Sequence, residues 1–201
     1  MATKMTIVLA TTNSGKIKEI QDVLDEMNIE VMSMGDAGYN APIEETGRTF
    51  EENALLKART VHTHIDYPIL ADDSGLEVNI LGSAPGVFSA RYAGVDQSET
   101  ANRAKLLKEM KDISDDNRKA RFRCALAYID EYGEHIFEGV CDGRITTEER
   151  GTKGFGYDPV FIPEGSDKTF AEMSAEEKNS VSHRGKALTA LKRYLQKTVN
   201  D

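Results

Sequence analysis

Tryptophan is absent from this 201-residue chain, and cysteine, histidine and proline are scarce at 2, 4 and 5. Cys124 and Cys141 could form at most one bridge, so a disulfide framework is excluded. No apolar run nears the ~18 residues of a membrane span, and no charged start with an apolar stretch marks a secretion signal. A cytoplasmic, reducing setting with no membrane partner is the expectation. Basic residues are also in deficit, 25 Lys and Arg against 34 Asp and Glu, for a formal charge of −9. Such a charge repels polynucleotide at long range, so no nucleic-acid polymer is expected as a partner, whereas a small anion can still bind where basic side chains converge. Repeats, low-complexity tracts and long linkers are missing too, and residues 1–201 read as one domain.

The hydrophobic pattern supplies the elements. Ile7, Val8 and Leu9 form a short apolar run ending in a polar turn, after which Ile17, Ile20, Leu24 and Met27 recur at helical spacing. Thr49 and Glu52 have capping-box spacing ahead of a helix carrying Phe50, Ala54, Leu55, Ala58 and Val61. Ile69, Leu70 and Ala71 predict a strand that ends at Asp72 and Asp73, with a further strand over Leu76 to Leu81. Residues 100–110 read as helix, and 122–129 with 136–140 as a β-hairpin turning near Tyr132 and Gly133. Ser174 and Glu177 repeat the capping-box spacing, a break is expected at Ser182, and Leu188, Leu191 and Leu195 mark a closing amphipathic helix. The class is α/β with a central sheet, a fold that binds ligands at its strand ends.

Four stretches could carry chemistry. Thr11, Thr12, Asn13, Ser14, Gly15 and Lys16 form a polar turn at a helix start, where free N–H groups and a lysine suit a phosphate, although an ordinary helix cap has the same composition. The turn is no Walker A loop, because Ala10 and Ile17 stand where that pattern needs Gly and Ser or Thr. Asp72 and Asp73, with Glu44 and Glu45 in "EETG", are hard oxygen donors that suit Mg²⁺. Successive strand residues face opposite ways, so one of the two aspartates is expected at the metal and the other on a helix end, loop or lysine. In "GFGYDP", glycines permit close backbone approach while Phe155 and Tyr157 offer faces for a base, and Asp158 follows. Lys178, His183 and Arg184 could meet a polyanion or a base edge. His62, His64 and His135 have no metal-ligand spacing and are expected at the surface.

Together, "TTNSGK", "EETGRTFEENALLKA", "ADDSGLEV", "PGVFSARYAG", "GFGYDP" and "SHRGKAL" span nearly the whole chain in this order. The sequence resembles the inosine/xanthosine triphosphate pyrophosphatases. One departure is Thr12, where that family often has Gly. The resemblance implies an elongated mixed sheet flanked by helices, two lobes with the active-site cleft between them, and a homodimer. It implies Mg²⁺-dependent hydrolysis of ITP, dITP and XTP to the monophosphate and pyrophosphate. It further implies that Thr11 to Lys16 hold phosphates, that Lys57 and Lys178 neutralise the triphosphate, and that Ser74 bonds substrate. Asp73, with Glu45, would hold the metal and accept a proton from water. Phe155, Gly156, Tyr157 and Asp158 would cradle base and sugar, and His183 and Arg184 would read the 6-oxo purine edge. Two alternatives differ in outcome: a pyrophosphatase for another modified base, separable by a substrate panel, and a nucleotide sensor that binds without turnover.

Overall fold

A computed structural model describes residues 5–94 and 98–198. Among the described residues six strands form one sheet: β1 (Thr6–Leu9), β2 (Glu30–Ser33), β3 (Ile69–Val78), β4 (Lys119–Asp130), β5 (Gly133–Ile145) and β6 (Phe161–Pro163). Their order is β2-β1-β3-β4-β5-β6. β1 runs parallel to β2 and to β3, while β5 and β6 are antiparallel, so the sheet is mixed. The α-helices among the described residues are α1 (Ser14–Leu24), α2 (Phe50–His62), α3 (Glu99–Glu109), α4 (Ala175–Val181) and α5 (His183–Thr198).

The chain divides into two compact units. The first holds residues 1–73, 124–138 and 185–201, and the second 74–123 and 139–184. Each has its own core. In the first, Ile7, Leu9 and Leu70 of the sheet pack with Ile20 and Leu24 of α1 and Leu188, Leu191 and Leu195 of α5. In the second, Leu76, Val78 and Phe122 pack with Leu106 of α3, Tyr157, Phe161 and Phe170. Full burial of one such leucine or phenylalanine contributes about 1.5–3 kcal/mol, so these clusters dominate the stability of each unit.

Local signals set the helix ends. Asn13 caps α1, its Oδ1 accepting from Lys16 N–H at 3.0 Å, and Thr49 Oγ1 caps α2 by accepting from Glu52 N–H at 3.1 Å. Glu52 does not complete the box; its carboxylate accepts from Arg48 N–H instead. At α4 the box is complete, with Ser174 and Glu177 each accepting from the other's N–H. Ser182 separates α4 from α5 as the sequence suggests.

Several expectations need correction. β3 does not stop at the acids but continues through Asp72, Asp73, Ser74 and Gly75 to Val78. Charged residues lie inside a strand because lysines elsewhere in the chain neutralise them. Residues 79–81 leave the sheet as a 3₁₀ turn that ends on Gly82 at φ +63°. The hairpin is longer than its apolar core implied, with only residues 131–132 between β4 and β5. His135 is half-buried, 2.8 Å from the Tyr194 hydroxyl, while His62 and His64 are exposed as expected. Cys124 and Cys141 are buried and not bridged to each other, and among the described residues no helix is long and apolar enough to cross a membrane.

Candidate active site

The first unit gathers two lysines around the paired aspartates. Lys16, in the first turn of α1, has Nζ 2.5 Å from Asp72 Oδ1 and 3.4 Å from the Asp72 carbonyl. The other oxygen, Asp72 Oδ2, accepts from the Cys124 thiol at 3.3 Å. Lys57 projects from α2 with only 7% of its surface exposed. Its ammonium donates to Glu45 Oε1 at 2.7 Å, to the Asp72 carbonyl at 2.8 Å and to Asp73 Oδ1 at 3.1 Å. Those three acceptors use all three N–H bonds of the ammonium. One helical turn earlier, Asn53 Oδ1 accepts from Gly47 N–H at 2.8 Å, which fixes the loop that carries Glu45.

Burial controls the charge states here. It is the largest influence on Asp73 and raises its carboxyl above the ordinary value of 3.8; Lys57 and Lys16 pull the other way, and Glu45 adds to the rise. Burial is likewise the largest influence on Lys57 and would lower it, yet Asp73, Glu45 and Asp72 together hold the ammonium above 10.5. The two directions are compatible because one lysine is shared. Lys57 gains from three acids, whereas Asp73 shares Lys57 with Glu45 and Asp72, and Lys16 is paired with Asp72. Asp73 Oδ2 is buried and has no hydrogen-bond partner in the protein.

An orphaned buried carboxylate oxygen beside a second carboxylate is a place for a cation. Among the described residues no three His, Cys, Asp or Glu side chains gather, so an all-protein metal cage is absent. Mg²⁺ does not require one, since it commonly takes one or two carboxylates and fills its octahedron with water and substrate phosphate. The donor set of Glu45 and Asp73 fits that ion.

The second unit gathers aromatic and basic groups around the glycine-rich loop. Phe155 is half-buried, with Lys178 Nζ 4.9 Å and Arg184 Cζ 5.6 Å from its ring centre. Asp158 Oδ2 accepts both from Lys178 Nζ at 2.6 Å and from Phe155 N–H at 2.9 Å. Gly154 is obligatory beside it: φ is +73°, and an added Cβ would lie 2.0 Å from Asp158 Oδ2. Arg184 Nη2 donates to Ser74 Oγ at 2.9 Å, and the His183 ring stacks on Phe122 at 4.6 Å and 9°.

The sequence profile of the Ham1 family matches residues 7–194. This chain belongs to the Ham1 family. A relative from Bacillus licheniformis, a dITP/XTP pyrophosphatase, is 49% identical over 190 residues, covering 94% of this chain and 97% of that protein. The solved structure of a HAM1 protein from Coxiella burnetii superposes with a TM-score of 0.86 at 42% identity, covering 96% of this chain and 99% of that one. The Ham1 protein of Staphylococcus aureus gives 0.85 at 37% identity, with 96% and 99% covered.

Within this Ham1-family fold the residues singled out by sequence separate into two groups. Lys16, Lys57, Glu45 and Asp73 meet in the first unit, where Thr12, Asn13 and Ser14 are exposed at the start of α1. Ser74, Phe155, Asp158, Lys178, His183 and Arg184 lie in the second. Tyr157 departs from expectation: its ring is in the second core and its hydroxyl donates to the Ser89 carbonyl at 2.8 Å, so it offers no face to a base. Asp72 is taken up by Lys16 and Cys124, and Glu44 is exposed. Sequence reasoning passed over Asn53 and Arg103. Asn53 shares a helix face with Lys57, four residues on, which was a legible signal; Arg103 had none.

Proposed function

We propose that the chain hydrolyses the deaminated purine nucleoside triphosphates ITP, dITP and XTP to the monophosphate and pyrophosphate. The observation that carries this reading is the buried ammonium of Lys57 shared between Glu45 and Asp73, with Asp73 Oδ2 left over. A site that only bound nucleotide would gain nothing from a second carboxylate and an orphaned oxygen at this spot. Mg²⁺, held by Glu45 and Asp73, would supply charge neutralisation of the phosphates and a lowered pKa for bound water.

The chain's own residues take the remaining tasks. Thr11 to Gly15 offer hydroxyl and N–H donors at the start of α1, and Lys16 and Lys57 add positive charge for the phosphates. Asp73 accepts the proton of the attacking water. Water oxygen bonds to the α-phosphorus, the bond from that phosphorus to the bridging oxygen breaks, and pyrophosphate departs. No covalent enzyme intermediate is required, and positioning with charge stabilisation accounts for catalysis of this kind.

For the nucleoside end, Ser74 bonds substrate and Phe155 provides the stacking face. Lys178 Nζ lies 4.9 Å from the centre of that ring and Asp158 holds the Phe155 N–H, and Gly156 and Tyr157 contribute backbone. His183 and Arg184 read the 6-oxo edge, because a donor that faces a 6-amino group loses its bond while keeping its desolvation penalty of about 1–3 kcal/mol. A homodimer in the cytoplasm, with no polynucleotide or membrane partner, completes the proposal. The acidic balance of the chain and its family membership support it.

Incubation of the protein with dITP and Mg²⁺, followed by chromatography of the products, tests the reading. dIMP with pyrophosphate is expected. dIDP with orthophosphate, or no turnover at all, would refute it.

A further inference from the structure

We infer that Arg103, on α3, is a positioning residue for the base-binding loop and thereby sets how well the enzyme selects its purine. This rests on the assignment of residues 154–158 to the base. The loop is tied down at each end. Phe155 N–H donates to Asp158 Oδ2, and the Tyr157 hydroxyl donates to the Ser89 carbonyl. Between them lies Gly156, at φ +59° with nothing within 4 Å of where a Cβ would stand. Glycine adopts either sign of φ almost equally well, so no side chain of its own holds the peptide plane that follows Gly156.

Arg103 supplies that hold. Its Nη1 donates to the Gly156 carbonyl at 2.9 Å, a charge-assisted bond, which is roughly twice as strong as a neutral one. The guanidinium is itself aimed. Nε lies 3.0 Å from Glu149 Oε1, an ion pair by distance whose N–H direction misses hydrogen-bond alignment, and Nη2 donates to Thr100 Oγ1 at 3.4 Å. Only 12% of the side chain is exposed. The neighbouring residue extends the arrangement: Asn102 Nδ2 donates to the carbonyls of Ala90 and Ser89, and its Oδ1 accepts from Ala93 N–H. Through Ser89 the same helix reaches the acceptor used by Tyr157, so α3 grips the loop at two points. Loss of the Arg103 bond frees the Gly156 plane, and the Phe155 ring one residue away loses its fixed orientation.

Arg103→Met keeps length and apolar packing and removes the donors. For the Mg²⁺-loaded enzyme the expected result is a KM for dITP raised about tenfold with kcat within about twofold, and a smaller preference for dITP over dATP. Inhibition by inorganic tripolyphosphate, which has no base, should be unchanged; a variant that merely loosened the fold would move both. Arg103→Lys, which retains a cationic donor, should recover most of the lost KM, and it carries the same comparison if the methionine variant does not fold. An unmoved KM and preference in both variants, with normal wild-type turnover, would overturn the inference alone. Wild-type protein inert toward dITP would overturn the assignment beneath it.

Discussion

Asp72 and Asp73 are adjacent in one strand and hold different lysines, Asp72 pairing with Lys16 at 2.5 Å and Asp73 with Lys57 at 3.1 Å. The pleat of β3 sends the two carboxylates to opposite faces, so a single dipeptide anchors α1 through one and α2 through the other. Asp72 is used up by this structural task, with Cys124 on its second oxygen, while Asp73 keeps an oxygen in reserve.

Replacing Asp73 with Asn should lower kcat for dITP by roughly 10²–10⁴-fold, the range for a lost general base. Stability should not fall with it. The folded state holds the Asp73 proton more tightly than the unfolded chain does, so ionisation opposes folding, and the penalty appears as pH rises above the ordinary 3.8 and through the raised value. Without metal, Asp73→Asn should therefore melt at or above the wild-type temperature at pH 7.5, the gap closing as pH falls towards 4. A variant that melts lower at neutral pH would contradict this. The Lys57 ammonium, held above 10.5, contributes the same amount throughout that window, because its contribution is lost only at higher pH.

Lys178→Met should destabilise the protein by about 3–5 kcal/mol, since it breaks the buried ion pair with Asp158, whose side chain is 4% exposed. The second change Asp158→Asn should recover most of the loss, because no buried charge then remains. Urea unfolding of both variants is the measurement, and a double variant no better than the single would remove charge burial as the cause.

Two glycines in the loop make a matched comparison. Gly154→Ala places Cβ against the Asp158 carboxylate at φ +73° and should cost about 2 kcal/mol or more; Gly156→Ala, with open space at φ +59°, should cost only the backbone strain of about 1–2 kcal/mol. Equal losses in urea would show that the Asp158 contact is not tight.

Phe155→Ala should raise KM for dITP about tenfold, within the roughly 1–3 kcal/mol that stacking contributes per base. Steady-state kinetics with dITP decide it, and an unchanged KM would place the ring with the packing alone.

Signals that act within four residues were legible in the sequence. The caps of α2 and α4, the break at Ser182 and the apolar stripe of α5 all form where the spacing placed them. What escaped depends on distant partners. β3 passes through two aspartates because Lys16 and Lys57, 56 and 15 residues from Asp72, neutralise them. Tyr157 sinks into the core because its hydroxyl finds a carbonyl 68 residues away. β2 and β6, of 4 and 3 residues, are too short to show a period. The site followed the same division: its residue types were visible as motifs, whereas the sharing of Lys57 by Glu45 and Asp73 required the folded backbone.

The chain passes from one unit to the other at 73/74, 123/124, 138/139 and 184/185. The first three passages lie inside β3, β4 and β5, and the last inside α5. None falls in a loop, and neither unit is a continuous stretch of polypeptide. A gene fragment ending at any of these points would encode a severed strand or helix with its backbone groups left open, so neither half can be produced by truncation. Whatever ancestral event assembled this architecture, it was not the end-to-end fusion of two ready-made modules.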